Sequence, residues 1–149
     1  KDLENYDLRA RMMYAATAAL NGLCNAGRSY GDWGVHAAGH VLSLLYDTPH
    51  GASLSIVYPA WLKMISERDS DRVNSLMYSL FRTADAANGI YKLEHFFKSV
   101  GSPVRLKEIG IGEDKHQEII RQMELNNVNG QHHKLQPDDY KTLVNLMAG

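Results

Sequence analysis

The chain has 149 residues, of which 44% are hydrophobic and 22% are charged, and its net charge is −1 at pH 7. These values predict one soluble globular domain with a buried core, and the balanced charge gives no reason to expect nucleic acid or an anionic membrane as a partner. No apolar run approaches the roughly 20 residues of a membrane span, no signal peptide opens the chain, and the single Cys24 excludes an internal disulfide, so we expect a cytoplasmic location.

The first predicted helix covers residues 9–23, where alanine and other residues of high helix propensity dominate. Asp7 is a suitable N-cap for it, and Asn21 followed by Gly22 is a typical helix end. We expect Cys24, just beyond this end, to be a small buried residue, because the sequence shows no neighbour that would activate its thiol.

Two apolar helices are predicted next, over residues 34–46 and 51–64. Asp32 is the expected N-cap of the first. Residues 47–49 (Asp-Thr-Pro) should end that helix, because a residue before proline disfavours the helical conformation. Pro59 falls inside the second and should kink it or mark its boundary.

The rest of the chain predicts four further helices. A polar connection at 66–72 leads to amphipathic helices over 73–81 and 90–100. Asp114 is the expected cap of a helix that continues to Leu125, and Pro137 fits the first turn of a last helix ending near Met147. With about seven helices and no convincing segment of alternating polarity, the sequence predicts an all-α multi-helix bundle.

Three of the seven histidines lie within residues 32–59 and form a candidate metal site. His36 and His40 are four residues apart, so a helix places both on one face, within reach of one ion. His50 would lie about 21 Å further along an unbroken helix, but the break at 47–49 lets the chain turn back. The small and apolar residues between them would limit water and strengthen electrostatic interactions at a metal.

Alternative roles for these three histidines stay open. They are also compatible with ordinary packed and hydrogen-bonded core residues, and the whole chain with a structural or interaction domain. A stand-alone helical metal hydrolase would add a carboxylate from Asp32 or Asp47, although both are better explained as a helix cap and a turn residue. His132 and His133 lie in a polar loop where we expect a solvated surface, because adjacent residues rarely converge on one ion.

The segment HAAGHVLSLLYDTPHGASLSIVYPAW resembles the histidine motif of the iron-containing (group III) alcohol dehydrogenases, and most of all their butanol-dehydrogenase-like branch. The family pattern is His-x3-His, nine further residues, His-Gly, and an apolar run with proline. Five residues match it in order: His36, His40, His50, Gly51 and Pro59. The upstream ENYDLRARMMYAATAALNG and the downstream FFKSVGSPVRLKEIGI resemble the flanking segments of the family, so the resemblance extends to at least residue 112.

This resemblance implies the all-α fold of the C-terminal domain found in iron alcohol dehydrogenases and dehydroquinate synthase-like proteins. In the family, an N-terminal α/β domain binds NAD or NADP, and iron(II), or sometimes zinc, lies between the domains, bound by one Asp and three His. His36 and His50 correspond to the last two of these metal ligands. His40 corresponds to a residue near the metal and the nicotinamide, a candidate for proton relay or positioning. Trp33 is a candidate wall of the substrate pocket, although packing at the helix start explains it equally well.

The sequence departs from the family because it contains neither the Asp-x3-His segment that carries the other two ligands nor the cofactor domain. We therefore expect residues 1–149 to be the C-terminal metal- and substrate-binding domain of a longer NAD(P)-linked alcohol dehydrogenase. Its expected partners are a small alcohol or aldehyde and its own N-terminal domain, and a homodimer is one assembly that we consider. With two of four metal ligands, this chain alone should hold metal weakly and show no dehydrogenase activity.

Overall fold

The computed structural model describes residues 2–28 and 30–149, and in these residues it contains seven α-helices and no β-strand. The helices are α1 (Tyr6–Leu20), α2 (Gly34–Tyr46), α3 (His50–Ser66), α4 (Ser70–Phe81), α5 (Ala86–Ser99), α6 (His116–Leu125) and α7 (Pro137–Ala148). Short 3-10 turns lie at Leu23–Asn25, Leu106–Ile109 and Glu113–Lys115. The predicted all-α fold is thus confirmed over the described residues, among which no helix is long and apolar enough to cross a membrane.

The chain divides into two compact units, residues 1–31 and 32–149. The first unit consists mainly of α1. Its N-cap is Asn5, whose side-chain oxygen accepts a hydrogen bond from the backbone N–H of Leu8 at 3.1 Å. The prediction of Asp7 as the cap is wrong, because Asp7 lies within the first turn, where its negative charge favours the helix dipole instead.

Exposed side chains dominate this first unit. None of the residues of α1 is buried, so the unit offers no interior to the residues that follow the helix. Cys24 is accordingly exposed, and the prediction of a buried cysteine is wrong. Its Sγ donates to the carbonyl oxygen of Ala18 at 3.4 Å, a local contact within the unit.

The second unit is built around α3, which packs against α2, α4, α5 and α7. Ten of its 17 residues are buried, among them Ile56 and Trp61. A helix that is apolar on nearly every side can be stable only in the interior of a fold. Pro59 lies inside this helix, which continues to Ser66, so Pro59 does not mark a boundary.

A close approach between α2 and α3 fixes the start of α2. Gly34, the first residue of α2, lies so near the indole of Trp61 that a Cβ at position 34 would be 2.2 Å from a ring carbon. Only glycine allows the two helices to meet at this distance. The start of α2, the helix that carries part of the candidate metal site, is therefore held in place by the core.

Helix caps account for most differences between the predicted and observed boundaries after α3. Asp69 caps α4 by accepting from the N–H of Arg72 at 3.2 Å, so α4 begins within the predicted polar connection. Asp85 likewise caps α5 and extends it towards its N-terminus. The prediction of Asp114 as a cap is wrong, because it lies in a 3-10 turn and α6 begins at His116 without a side-chain cap.

The last helix begins as the sequence predicts. Pro137 is at the start of α7, where its missing N–H costs no hydrogen bond. Gln136 and Asp139 form a capping box in which each side chain accepts from the backbone N–H of the other. Asp139 also pairs with Arg68, beyond the end of α3, which ties α7 to the central helix.

A buried ionic network joins α3, α5 and the segment that follows α5. The carboxylate of Glu94, which is only 8% exposed, accepts from Lys63 Nζ at 2.7 Å and from Arg105 Nη2 at 2.9 Å. Burial raises the pKa of Glu94, but the hydrogen bonds from Arg105 and Lys63 outweigh it and hold the pKa below its usual value. The network therefore keeps Glu94 charged.

Candidate functional site

Three imidazole rings converge at the turn between α2 and α3. His36 and His40 lie on α2, and His50 is the first residue of α3. The ring centroid of His50 lies 5.4 Å from that of His36 and also 5.4 Å from that of His40, whereas the centroids of His36 and His40 are 6.4 Å apart. Rings at the shorter distance are close enough to share one ion through bonds of about 2.1 Å.

The turn that returns His50 to His36 is fixed by local contacts. Asp47 ends α2 in the left-handed conformation, with φ at 51°, and Pro49 precedes α3. Ser43 Oγ donates to the carbonyl oxygen of Thr48 at 2.8 Å, and Ser53 Oγ donates to that of His50 at 2.8 Å. The break that the sequence predicts at residues 47–49 is therefore present, and it brings the three histidines together.

The electrostatic environment favours the neutral form of His36. Burial lowers the pKa of its imidazole, and the nearby imidazoles of His50 and His40 lower it further because their positive charges would oppose protonation. A neutral imidazole has a nitrogen lone pair available for a metal. His36 is half-buried and His40 is exposed, so His36 is in the drier position of the two.

Trp33 packs against the first of these histidines. Its ring centre lies 4.9 Å from that of His36 in an edge-to-face arrangement, and 48% of its side chain is exposed. Trp33 itself is the N-cap residue of α2, with φ at 61° and no side-chain cap. The prediction of Asp32 as the cap is therefore wrong.

The carboxylate of Asp32 has a long-range partner instead. It accepts hydrogen bonds from the backbone N–H groups of His132 and His133 at 2.7 and 3.0 Å. Sequence reasoning missed this because a cap is read from neighbours, whereas these partners are 100 and 101 residues away. These hydrogen bonds favour a structural role for Asp32 over that of a metal ligand in the hydrolase alternative.

A mostly apolar cavity of about 440 Å³ opens beside His36. Its lining is Val35, His36, Gly51, Leu54, Ser55, Tyr58, Phe97 and Ser102. Sequence reasoning did not identify Leu54 and Tyr58 as site residues. Their spacing was a usable signal, since positions 50, 54 and 58 repeat every four residues on one face of α3.

The donor set contributed by the described residues is incomplete. Among residues 2–28 and 30–149, no group of three or more His, Cys, Asp or Glu side chains is placed to hold a metal ion. The residues present nevertheless fit part of such a site, because imidazoles from two helices converge beside a cavity and the pKa of the most buried one, His36, is lowered.

Comparison with known proteins identifies relatives that match most of the chain. Residues 1–146 match the model of the C-terminal part of the Fe-containing alcohol dehydrogenase family. A probable NADH-dependent butanol dehydrogenase 2 of Bacillus subtilis is 39% identical over 123 residues, which are 77% of this chain and 31% of that protein. The NADPH-dependent aldehyde reductase YqhD of Escherichia coli is 33% identical over 133 residues, covering 83% of this chain and 33% of that protein.

A solved structure of similar fold gives the same picture. The crystal structure of NADH-dependent butanol dehydrogenase A from Thermotoga maritima superposes with a TM-score of 0.90 at 31% sequence identity. The match covers 98% of this chain and 40% of that one. The chain thus spans between about a third and two fifths of the length of these relatives.

Proposed function

Because the chain belongs to the iron-containing alcohol dehydrogenase family and matches its C-terminal part, we propose that it forms the metal- and substrate-binding domain, residues 1–149, of an NAD(P)-linked alcohol dehydrogenase or aldehyde reductase. The proposed substrates are small alcohols or aldehydes. The observation that carries this proposal is the convergence of His36, His40 and His50 beside an apolar cavity, at the positions of the family's histidine motif.

We assign the proposed metal, iron(II) or zinc, to His36 and His50. The half-buried position of His36 and the lowered pKa of its imidazole favour it over His40 as the partner of His50. The remaining ligands, an Asp and a His in the family resemblance, would come from another part of the protein. We propose an N-terminal domain for that part, which would also bind most of the NAD(P).

When bound, the metal supplies Lewis acidity at the substrate oxygen and the nicotinamide gives or accepts the hydride. His40 is exposed at the edge of the cluster, 5.4 Å from His50 between ring centres. We propose that one of its ring nitrogens holds or passes the proton that the substrate oxygen gains or loses. Trp33 packs against His36 but does not line the cavity beside it, so its role as a wall of the substrate pocket stays a proposal.

The cavity beside His36 supports an apolar substrate tail. Leu54 and Tyr58 of α3 and Phe97 of α5 line it, with few polar neighbours. An alkyl chain gains free energy when such surfaces replace water. The polar end of the substrate would then lie at the histidines.

The lone Cys24 still favours a cytoplasmic location, which stays a prediction.

A chimaera tests this function. Residues 1–149 would replace the corresponding C-terminal segment of the Bacillus subtilis relative, and NADH oxidation with butanal would be measured together with metal content. We expect activity, its loss together with the metal in His36→Ala and in His50→Ala, and no change in His95→Ala, an exposed control on α5. In His40→Ala we expect retained metal and a rate about 100-fold or more lower.

Full metal retention in both His36→Ala and His50→Ala would contradict the ligand assignment. A folded chimaera that binds metal and cofactor but does not reduce butanal would contradict the proposed activity.

A further inference from the structure

Asp32 precedes α2 and ties its start to a distant turn of the chain. One carboxylate oxygen, Oδ1, accepts hydrogen bonds from the N–H of His132 at 2.7 Å and from that of His133 at 3.0 Å. The backbone carbonyl of Asp32 accepts a third, from the N–H of Gln131 at 2.7 Å. Three consecutive residues thus donate hydrogen bonds to one residue, which fixes both the position and the direction of the turn at 130–133.

Gly130 lets the carboxylate lie directly against the backbone of this turn. A Cβ at position 130 would be 2.4 Å from both carboxylate oxygens of Asp32, far inside van der Waals contact. The N–H of Gly130 donates to the carbonyl oxygen of His133 at 3.2 Å and closes the turn. The two residues therefore fit as a pair, since any side chain at position 130 would displace the carboxylate.

The turn is itself anchored to the core of the second unit. Val128 and Leu135, on either side of it, are buried. Tyr140 Oη donates to the carbonyl oxygen of Val128 at 3.0 Å, and the side chain of Asn129 accepts from the N–H of Leu135 at 2.7 Å. The turn can thus act as a fixed support for Asp32.

Trp33 is held between this support and the core. Its φ of 61° lies in the left-handed region, which is strained for a residue with a bulky side chain. Asp32 is fixed on one side by the turn, and Gly34 is fixed on the other by the indole of Trp61. In this conformation the ring of Trp33 packs on the imidazole of His36, with 4.9 Å between ring centres.

We propose that Asp32 is a positioning residue. Because its hydrogen bonds anchor it to the turn at 130–133, it keeps the neighbouring Trp33 in the left-handed conformation. Trp33 then sets the orientation of the His36 imidazole. The inference rests on the proposed function only for the role of His36 as a metal ligand. The placement of the ring is a property of this chain without metal, so the two can be tested separately.

The test is NMR of the histidine ring resonances of the metal-free chain. An indole ring shifts the resonances of nearby protons. The variant Trp33→Leu therefore defines how far the His36 resonances shift when the contact with the indole is lost. We expect Asp32→Ala and Gly130→Ala to move the His36 resonances in the same direction, while those of His95 stay in place. The double variant should match Asp32→Ala alone, because the three atoms nearest to the new Cβ all belong to the Asp32 carboxylate.

Two further variants control for charge and for general stability. Asp32→Asn should stay near the wild-type resonances, since an amide oxygen can accept the same two N–H groups. Asp71→Ala, at an exposed aspartate in the first turn of α4, should leave His36 unchanged. The inference would be overturned if the His36 resonances stayed at their wild-type positions in folded Gly130→Ala or Asp32→Ala. It would also be overturned if Asp32→Asn shifted these resonances as far as Asp32→Ala does.

A zinc titration of the same samples separates the inference from the proposed function. We expect zinc to move the His36 and His50 resonances of the wild type, with affinity about tenfold weaker in Asp32→Ala, as for other residues that orient a ligand. Unchanged affinity in Asp32→Ala would overturn the role of Asp32 at the metal. Failure of zinc to move His36 and His50 in the wild type would count against the proposed function, whereas the metal-free spectra would still decide the positioning.

Discussion

The imidazoles of His36 and His50 lie with their ring centres 5.4 Å apart, although one belongs to the first turn of α2 and the other begins α3. The left-handed Asp47 and the following Pro49 reverse the chain between them. The site therefore depends on one short turn, held by Ser43 and Ser53, and not on the spacing of histidines along a single helix.

The first prediction concerns metal binding by the chain alone. Two neutral imidazoles without a carboxylate should bind zinc weakly, and no tight stoichiometric zinc is expected after dialysis. Isothermal titration calorimetry would measure the affinity. His36→Ala and His50→Ala should abolish the remaining binding, whereas His40→Ala should retain most of it. Tight binding of one zinc per chain would contradict a metal site that is completed by ligands from another part of the protein, and it would favour the hydrolase alternative.

The second prediction concerns enzymatic activity of the same chain. Residues 1–149 should not oxidise NADH or NADPH with butanal, because the cofactor domain and the other two metal ligands that we propose would lie outside them. The measurement is absorbance of the reduced cofactor over several hours with added iron(II) or zinc. Turnover by the wild type that is absent in His36→Ala would contradict this prediction, since it would place a complete active site within the chain.

The cavity yields a third prediction, on substrate length. Leu54→Phe should fill the part of the cavity next to Tyr58, so in the active chimaera kcat/KM should fall more for hexanal than for ethanal. A mismatch of one methylene group in an apolar pocket is worth roughly 10- to 200-fold. Leu44→Phe is a matched control, because Leu44 is 65% exposed on α2 and does not line the cavity. Equal losses for both aldehydes would place the alkyl chain elsewhere.

The sequence predicts those parts of the site that depend on neighbouring residues. The bounds of α2 are as expected, and α3 begins one residue before the predicted start, because Asp47 and Pro49 are local signals of a helix break. The role of Asp32 could not be predicted, since a cap is read from nearby residues and its partners lie in a turn about 100 residues away. The prediction of Asp114 as a helix cap is wrong for a related reason. Asp114 lies in a 3-10 turn, which the sequence does not distinguish from the start of an α-helix.

The fourth prediction is a pH dependence of stability from Glu94. The pKa of its carboxyl is lowered in the folded state, so its contribution is present above the unfolded pKa of about 4.3 and is lost as pH falls through the folded pKa. Glu94→Gln should therefore destabilise the chain by about 3 kcal/mol at pH 7, because it leaves Lys63 and Arg105 without their buried partner. The difference from the wild type should shrink below about pH 4.

Urea denaturation at a series of pH values measures this difference. Glu67→Gln is the control, because Glu67 is exposed at the end of α3. A destabilisation by Glu94→Gln that is the same at pH 3 and pH 7 would show that packing, and not the charge of Glu94, stabilises the network.

The fifth prediction compares two glycines, Gly34 at the first position of α2 and Gly51 at the second position of α3. Gly34→Ala would put a methyl group 2.2 Å from a ring carbon of Trp61, so α2 would have to move and the chain should lose roughly 1–3 kcal/mol. Gly51→Ala is its matched control, because a Cβ at this helical position meets nothing within 4 Å. Alanine there should stabilise the chain by about 0.4–1 kcal/mol through the lower entropy of the unfolded state. Thermal unfolding of both variants measures the contrast, and equal stability of the two would refute the close approach of α2 to Trp61.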